Sequence, residues 1–356
     1  MIARRALLAA PLLLAAPPLL AAPTLPAAPP LPAAALLPTV APLPAAPGIV
    51  RAARPRIVML LWRGWEEACD GFRDYLAGRG IDAEFVTRDA GQSTAPIPGY
   101  VAEINATRPD LVFVWGGSTA LAALGRFDAP DPARYIRDVP VVLAIVADPL
   151  GSGLVANLER PGRPVTGTIY VAPIDVQLRA MQAYRPFRRV GALFNSLEQS
   201  SSAAVLRLAE LAARDRFELL ARPVPVVGGQ PQAGAIPGLV RELKAAGAEW
   251  LYIPPDTFLN DQRNALTGTA LEQGLPAFSA TERFVTYSSG LAGLVCRYYN
   301  IGQFAGFKAE QILRGAPAGG IPIQTLTRFS LLIRMATAQR LDFYPPMSLL
   351  RYAEAV

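Results

Sequence analysis

Residues 141–168 read VVLAIVADPLGSGLVANLERPGRPVTGT, and the fold turns on how this stretch is read. Val141–Ala147 holds only valine, leucine, isoleucine and alanine, the composition of a strand buried on both faces. Asp148-Pro149 ends it, since proline cannot extend a ladder, and leaves a carboxylate at the strand's C-terminal end. Gly151, Gly153 and a short apolar turn follow, cut off by Arg160-Pro161-Gly162-Arg163-Pro164. In open parallel α/β sheets ligands sit outside the carboxyl ends of strands, so Asp148 and its glycine turn are candidate site elements. Gly151-Ser152-Gly153-Leu154-Val155-Ala156 also matches the G-x-G-x-x-A dinucleotide fingerprint. A true fingerprint opens a full-length helix and has an acid about 20 residues on, at the end of the next strand. Here Pro161-Gly162 cuts the helix short and the strand near Val165–Tyr170 ends without an acid, which predicts a tight turn and no dinucleotide.

Working outward, strands alternate with helices on both sides. Before the anchor stand strand Ile57–Leu61, a helix with Ala68, Phe72, Tyr75 and Leu76 on one face, and strand Asp82–Thr87. A helix around Val101–Ala106, strand Leu111–Trp115 and helix Ala120–Leu124 complete this part. After Tyr170 the pattern restarts: helix Ile174–Ala183, strand Val190–Phe194, helix Ser201–Arg214, strand Phe217–Ala221 and helix Ile236–Ala246. Strand Trp250–Ile253, helix Asp261–Gln273 and strand Ala277–Ser279 follow, then apolar Leu291–Cys296, helix Ile301–Leu313, strand Phe329–Met335 and a short helix. Alternation of this kind predicts an α/β fold of two doubly wound parallel-sheet lobes, with late segments crossing between them. The expected partition is 56–168 with about 291–324 in the first lobe, and 169–290 with about 325–356 in the second.

The first 55 residues are different. Met1-Ile2-Ala3-Arg4-Arg5 is a basic n-region followed by an apolar Ala/Leu stretch and small residues, the layout of a secretory signal. Prolines at 11, 17 and 18 argue against a durable membrane helix, and an uncleaved anchor is the lesser reading. Beyond it, to Pro55, an Ala/Pro-rich tether is expected, and a periplasmic location with it.

Composition removes several function classes. The chain of 356 residues has no histidine, which excludes Ser-His-Asp triads and the commonest zinc sites. The formal charge of +6 is spread over 34 basic and 28 acidic residues without basic–aromatic runs, so no nucleic-acid footprint is indicated. Cys69 and Cys296 lack metal spacing; a disulfide would need an oxidising compartment, and two independent buried thiols fit better. No metal, cofactor or catalytic residue is expected.

Polar residues cluster where strands end. In the first lobe they are Trp62-Arg63, Gly117-Ser118-Thr119 and Asp148; in the second they are Asn195, Asp256 and Glu282. If the lobes face each other, these ends line one cleft. Gly116-Gly117-Ser118-Thr119 opens a helix whose free N–H groups favour an anion such as a carboxylate, with Ser/Thr as cap, or forms a plain cap with no ligand. Trp62 and Trp65 could stack on a ligand with Arg63 pairing its charge, Trp65 fitting the core better. Asp256 and Glu282 could accept an ammonium group, cap a helix or hold a hinge.

Three separated motifs then match a known family. Ala147-Asp148-Pro149-Leu150-Gly151-Ser152-Gly153-Leu154-Val155-Ala156-Asn157-Leu158 with Arg160-Pro161-Gly162 and Val165-Thr166-Gly167 resembles its signature. Gly302 through Leu313, and Phe329–Met335 with Thr337-Ala338, Pro345-Pro346 and Leu349-Leu350, agree in the same order. The chain from about Arg56 onward resembles ABC-transporter substrate-binding proteins of the type 1 periplasmic-binding-protein fold, some of them associated with aromatic amino acids. The resemblance implies a monomer of two lobes with three hinge crossings that closes on a small ligand and delivers it to an ABC permease. By position, Ser118 and Thr119 resemble the family's small polar turn, Asn195 its asparagine and Asp256 its acid in the second lobe. Trp62-Arg63-Gly64-Trp65 departs from the family's small polar residues, and Asn195-Ser196 from its Asn-Pro. The ligand could therefore be bulkier or more anionic than an amino acid. The competing readings are an enzyme with Asp148 and Asp256 as acid and base, and a ligand sensor without transport.

Overall fold

The computed structural model describes residues 54–356; the secretory segment expected at the N-terminus lies outside them. The chain begins with β1 (Arg56–Leu61), α1 (Glu67–Gly78), β2 (Glu84–Asp89), α2 (Ile97–Thr107), β3 (Leu111–Trp115), α3 (Gly117–Leu124), β4 (Val141–Val146) and β5 (Val165–Ile169). It continues with α4 (Ile174–Tyr184), β6 (Arg189–Phe194), α5 (Gln199–Asp215), β7 (Glu218–Pro223), the hairpin β8 (Val226–Val227) and β9 (Gln230–Pro231), and α6 (Ile236–Ala245). Next are β10 (Trp250–Ile253), α7 (Thr257–Asp261), α8 (Arg263–Glu272), β11 (Ala277–Ser279), α9 (Arg283–Thr286) and β12 (Ala292–Val295). The last part is α10 (Tyr298–Leu313), β13 (Gln324–Thr325), β14 (Ser330–Ile333), α11 (Met335–Leu341), α12 (Met347–Leu350) and β15 (Ala353–Ala355).

Two sheets result, in the orders β2-β1-β3-β4-β5-β13 and β7-β6-β10-β11-β12-β14-β15. The two repeat one doubly wound topology, and every pairing within them is parallel except β12 with β14. The strand order reverses beside β1 in the first sheet and beside β6 in the second, the switch points where such folds bind ligands. Burial on both faces explains the apolar runs: Ile57, Met59 and Leu61 of β1 enter one core cluster while Val58 and Leu60 enter another.

The anchor strand breaks its own period. Val142 and Ala144 point into the first cluster and Val141 and Leu143 into the second, but Ile145 joins Ala144 on the same side. The register to β5 shifts between Leu143 and Val146, and Ile145 has φ 57. This is a β-bulge with a β-branched residue in left-handed conformation, a strained arrangement found where a strand re-aims side chains at a site.

Several expectations shift. The strand read at Asp82–Thr87 runs over Glu84–Asp89, because its ladder to β1 begins at Arg56 opposite Glu84 while Asp82 pairs with Arg54. The helix read at Asp261–Gln273 is α8, and a separate short helix, α7, precedes it and ends at Asp261. The run Leu291–Cys296, expected in the first lobe, supplies β12 of the second sheet, and α10 is the first element to pack back on α1. Strand Phe329–Met335 shortens to β14, with Met335 opening α11. The Tyr344-Pro345-Pro346 tail turns through α12 to add edge strand β15.

Three connections join the lobes: Tyr170–Pro173 after β5, Cys296-Arg297 after β12, and Leu326–Phe329 after β13. They lie side by side, with an antiparallel bridge between Val171 and Val295 and a 3.5 Å hydrogen bond from Thr325 Oγ1 to Val171 O. Cys296 sits buried in the second crossing and Cys69 buried on α1, both as free thiols.

Candidate functional site

The C-terminal ends of both sheets enclose a cavity of about 150 Å³. A cavity of roughly that size holds a molecule such as benzene. Of the nine residues expected at the cleft, Arg63, Gly117, Ser118, Asp148 and Asp256 line it; Trp62, Thr119, Asn195 and Glu282 do not.

On the first-lobe side α3 points its N-terminus at the cavity. Gly116 is the N-cap with φ 91, its N–H donates to Ala144 O, and its carbonyl accepts from Ala120 N–H. The N–H groups of Gly117, Ser118 and Thr119 form the open end of the helix, a place that favours an anion. The expected Ser/Thr cap is absent: glycine caps the helix by conformation, and Thr119 is turned fully into the core. Asp148 closes its own loop: Oδ1 accepts from Gly151 N–H at 2.7 Å, and its carbonyl accepts from Ser152 Oγ at 2.7 Å. A Cβ on Gly151 would lie 2.0 Å from Asp148 Oδ2, so the glycine pair serves the tight turn expected from the sequence.

On the second-lobe side two carboxylates meet. Asp256, at the end of β10, caps α7 through Leu259 N–H to Oδ1 at 2.8 Å. Its Oδ2 accepts from Asn195 N–H at 3.0 Å and Ser201 Oγ at 2.5 Å. Glu198, after β6, accepts from Thr257 N–H at 2.8 Å and Thr257 Oγ1 at 3.0 Å. Burial, and then the charge of Asp256, push the Glu198 carboxyl up to about 8, and burial raises Asp256 as well. Asn195 shapes the loop: its Oδ1 accepts from Leu197 N–H at 3.1 Å and delivers Leu197 and Glu198 to the wall. Of the two acids in the enzyme reading, Asp148 engages one oxygen and Asp256 both oxygens with the protein's own donors.

The remaining wall is aromatic. Trp115, the last residue of β3, and Tyr170 both meet Tyr298 edge-to-face, with centroids 6.4 and 5.8 Å away. The Arg63 guanidinium lies over the Trp115 ring at 4.9 Å. Trp62, expected to stack on the ligand, instead packs against both first-lobe core clusters.

Glu282 is a hinge residue. Its Oε1 accepts from Tyr298 N–H at 2.7 Å at the start of α10, and its Oε2 pairs with Arg297 at 3.1 Å. It thereby pins the second crossing and, through Tyr298, an aromatic wall. Glu282→Ala is expected to cost about 2 kcal/mol of stability in chemical denaturation, since it orphans the buried Tyr298 N–H and leaves Arg297 only its longer pair with Glu354. Ligand affinity should fall far less than on loss of Asp256.

Glu198, Asn260, Thr257, Trp115, Tyr170 and Tyr298 line the cavity without having been singled out from sequence. Trp115 was legible, being a strand-end residue. Glu198 stands four residues beyond its strand, Tyr170 lies in a hinge crossing and Tyr298 opens the helix after one, where no strand-end rule applies.

A family model described as ABC transporter substrate binding protein matches residues 57–356. A tyrosine-binding protein of Clostridioides difficile (strain R20291) is 26% identical over 271 residues, spanning 76% of this chain and 73% of that one. The ABC domain from Streptococcus pneumonia solved in complex with L-Trp superposes with a TM-score of 0.72 at 22% identity, covering 85% of this chain and 100% of that one. A conserved domain protein from Vibrio cholerae O1 biovar El Tor gives 0.72 at 20% identity, covering 85% and 99%. These two likenesses establish the fold.

Proposed function

The chain belongs to the ABC transporter substrate-binding protein family, and from that premise we propose that it captures an amino-acid-like ligand between its lobes and hands it to an ABC permease. The observation that carries this reading is the polarity of the cavity. An open helix N-terminus at Gly117 and Ser118 faces it from one lobe and the Glu198–Asp256 carboxyl pair from the other, with aromatic rings between. A zwitterion satisfies both ends, its carboxylate on α3 and its ammonium on the carboxyl pair. Contacts to both lobes at once favour the closed state and supply the free energy of closure. The names of a tyrosine-binding relative and of a neighbour complexed with L-Trp support an amino acid as ligand. The N-terminal segment would export the protein to the periplasm; among the described residues no helix is long and apolar enough to cross a membrane.

A thermal-shift screen of L-amino acids, followed by calorimetric titration, tests the reading. An amino acid at about 100 times its Kd stabilises by about 2.7 kcal/mol. A flat response across the panel, with none recovered by mass spectrometry from protein purified out of its native host, would overturn it.

The carboxyl pair also predicts a pH dependence. In the unliganded protein Glu198 holds its proton up to about 8, whereas a ligand ammonium favours the ionised form. Binding should therefore release up to about one proton per ligand between pH 5 and 8, and affinity should rise across that window and level off above it. For unliganded stability the sign is opposite: a carboxyl with raised folded pKa stabilises fully below about 4.5 and loses this as pH rises through about 8. Calorimetry in buffers of different ionisation enthalpy measures the proton, and Glu198→Gln should remove most of it.

A further inference from the structure

The two ends assigned to a zwitterion leave a third corner of the cavity unexplained. Asn260 of α7 lines it, is 6% exposed, and neither Nδ2 nor Oδ1 has a hydrogen-bond partner. Trp115 lines it too, 4% exposed, with Nε1 unpartnered. Buried polar groups are nearly always paired, and leaving one unpaired costs about 1–3 kcal/mol. Arg63 completes the corner. Its Nε donates to Glu66 Oε1 at 2.9 Å, its Nη1 reaches Asp261 Oδ1 across the cleft at 3.4 Å, and its side chain is 9% exposed. Arg63 also lies over the Trp115 ring at 4.9 Å, and Asn260 on the opposite lobe lines the same cavity, one residue before the Asp261 that Arg63 reaches.

Resting on the amino-acid reading above, we propose that this corner is a second anion subsite, and that the ligand carries a further carboxylate at the far end of its side chain. The donors fit that chemistry: a guanidinium, a carboxamide N–H and an indole N–H line one cavity, the last two unpartnered. A guanidinium bound only to proteins' own acids would serve as a lobe latch, and Glu66 Oε1 does also accept from Arg283 at 2.6 Å across the cleft. A latch alone leaves Asn260 and Trp115 without partners, whereas a carboxylate held among the three supplies acceptors for both. The side-chain anion then touches both lobes, so it adds to closure as well as to recognition.

Titrating two matched probe pairs separates the cases: L-glutamate against L-glutamine, and 4-carboxy-L-phenylalanine against L-phenylalanine. The wild type should bind the anionic member of at least one pair about tenfold or more tighter, the scale of one charge-assisted contact. Arg63→Met should collapse that preference to within about twofold while leaving the neutral member within about threefold of wild type, and Arg63→Lys should keep part of it. Asn260→Leu, which spares the ion pairs of Arg63, should weaken the anionic probe by about threefold or more and reports independently if Arg63→Met fails to fold. Equal binding within both pairs overturns the subsite and leaves the amino-acid reading standing. An equal loss for both members in Arg63→Met also overturns it, since that is the signature of a latch. Failure of every amino acid to bind overturns both readings.

Discussion

Asp256→Ala is expected to abolish ligand capture and destabilise the second lobe together. The carboxylate holds the N-terminus of α7 through Leu259 N–H, the end of β6 through Asn195 N–H, and α5 through Ser201 Oγ. Alanine leaves Leu259 N–H and Ser201 Oγ without their acceptor in a buried setting, and Asn195 N–H with only a 3.3 Å bond to Ser201 Oγ. The lost helix cap costs about 1 kcal/mol and the remaining orphaned groups about 1–3 kcal/mol each. A total near 3–5 kcal/mol should lower Tm by roughly 6 °C or more. Affinity should fall by at least about 100-fold, because the acidic end of the cavity loses one of its two carboxyls and the loop carrying Glu198 loses its anchor. Differential scanning fluorimetry and titration of the same preparation measure both. A variant with unchanged Tm and Kd would show that neither the anchoring nor the ammonium site is real. Asp256→Asn should be little better, since its amide would turn a donor toward Asn195 N–H in one orientation and toward Leu259 N–H in the other.

Gly302→Val should have an equally large effect for a different reason. Helices α1 and α10 cross so closely that a Cβ on Gly302 would lie 2.0 Å from Ala68 O. The opposing Gly71 is equally constrained, its Cβ position 2.0 Å from Tyr299 O. Glycine within a helix costs about 1 kcal/mol relative to alanine, and close backbone approach is what offsets that cost here. A valine must separate the helices. Overpacking of this kind costs about 3 kcal/mol or more. Separation would also open the cluster that seats Tyr298, the wall of the cavity. The expected result is loss of soluble protein, or a Tm depressed by roughly 6 °C or more. Gly306→Ala tests the same contact with a smaller group: its Cβ would lie 2.8 Å from Tyr75 Cβ, an atom held by the α1 backbone, so it too should lower Tm, by less than Gly302→Val.

Much of the fold was legible because apolar runs and β-α alternation record burial directly. Ile57–Leu61, Leu111–Trp115 and Trp250–Ile253 are strands with the bounds expected, or within a residue of them. The strand-end rule pointed to residues around one cavity, which both switch points face. It found individual residues less well. Arg63, Ser118 and Asp256 line the cavity, whereas Thr119 turns into the core, Asn195 braces a loop and Glu282 caps α10. The Ile145 bulge left no trace in composition, because a run of valines and isoleucines reads the same whether or not its register slips.

The sequence by itself determined the α/β architecture, the two repeated lobes and the polar character of their facing ends, because periodicity and turn chemistry act within each element. Which of those polar groups line the cavity was decided only by the tertiary structure. The direction of a loop side chain depends on partners far away in the chain: Leu259 and Ser201 for Asp256, Tyr298 for Glu282, Asp261 for Arg63. At residues 141–168 both statements hold at once. The apolar run fixed the strand, and only its pairing with β5 showed that the strand bulges at Ile145 to turn its end into the wall of the cavity.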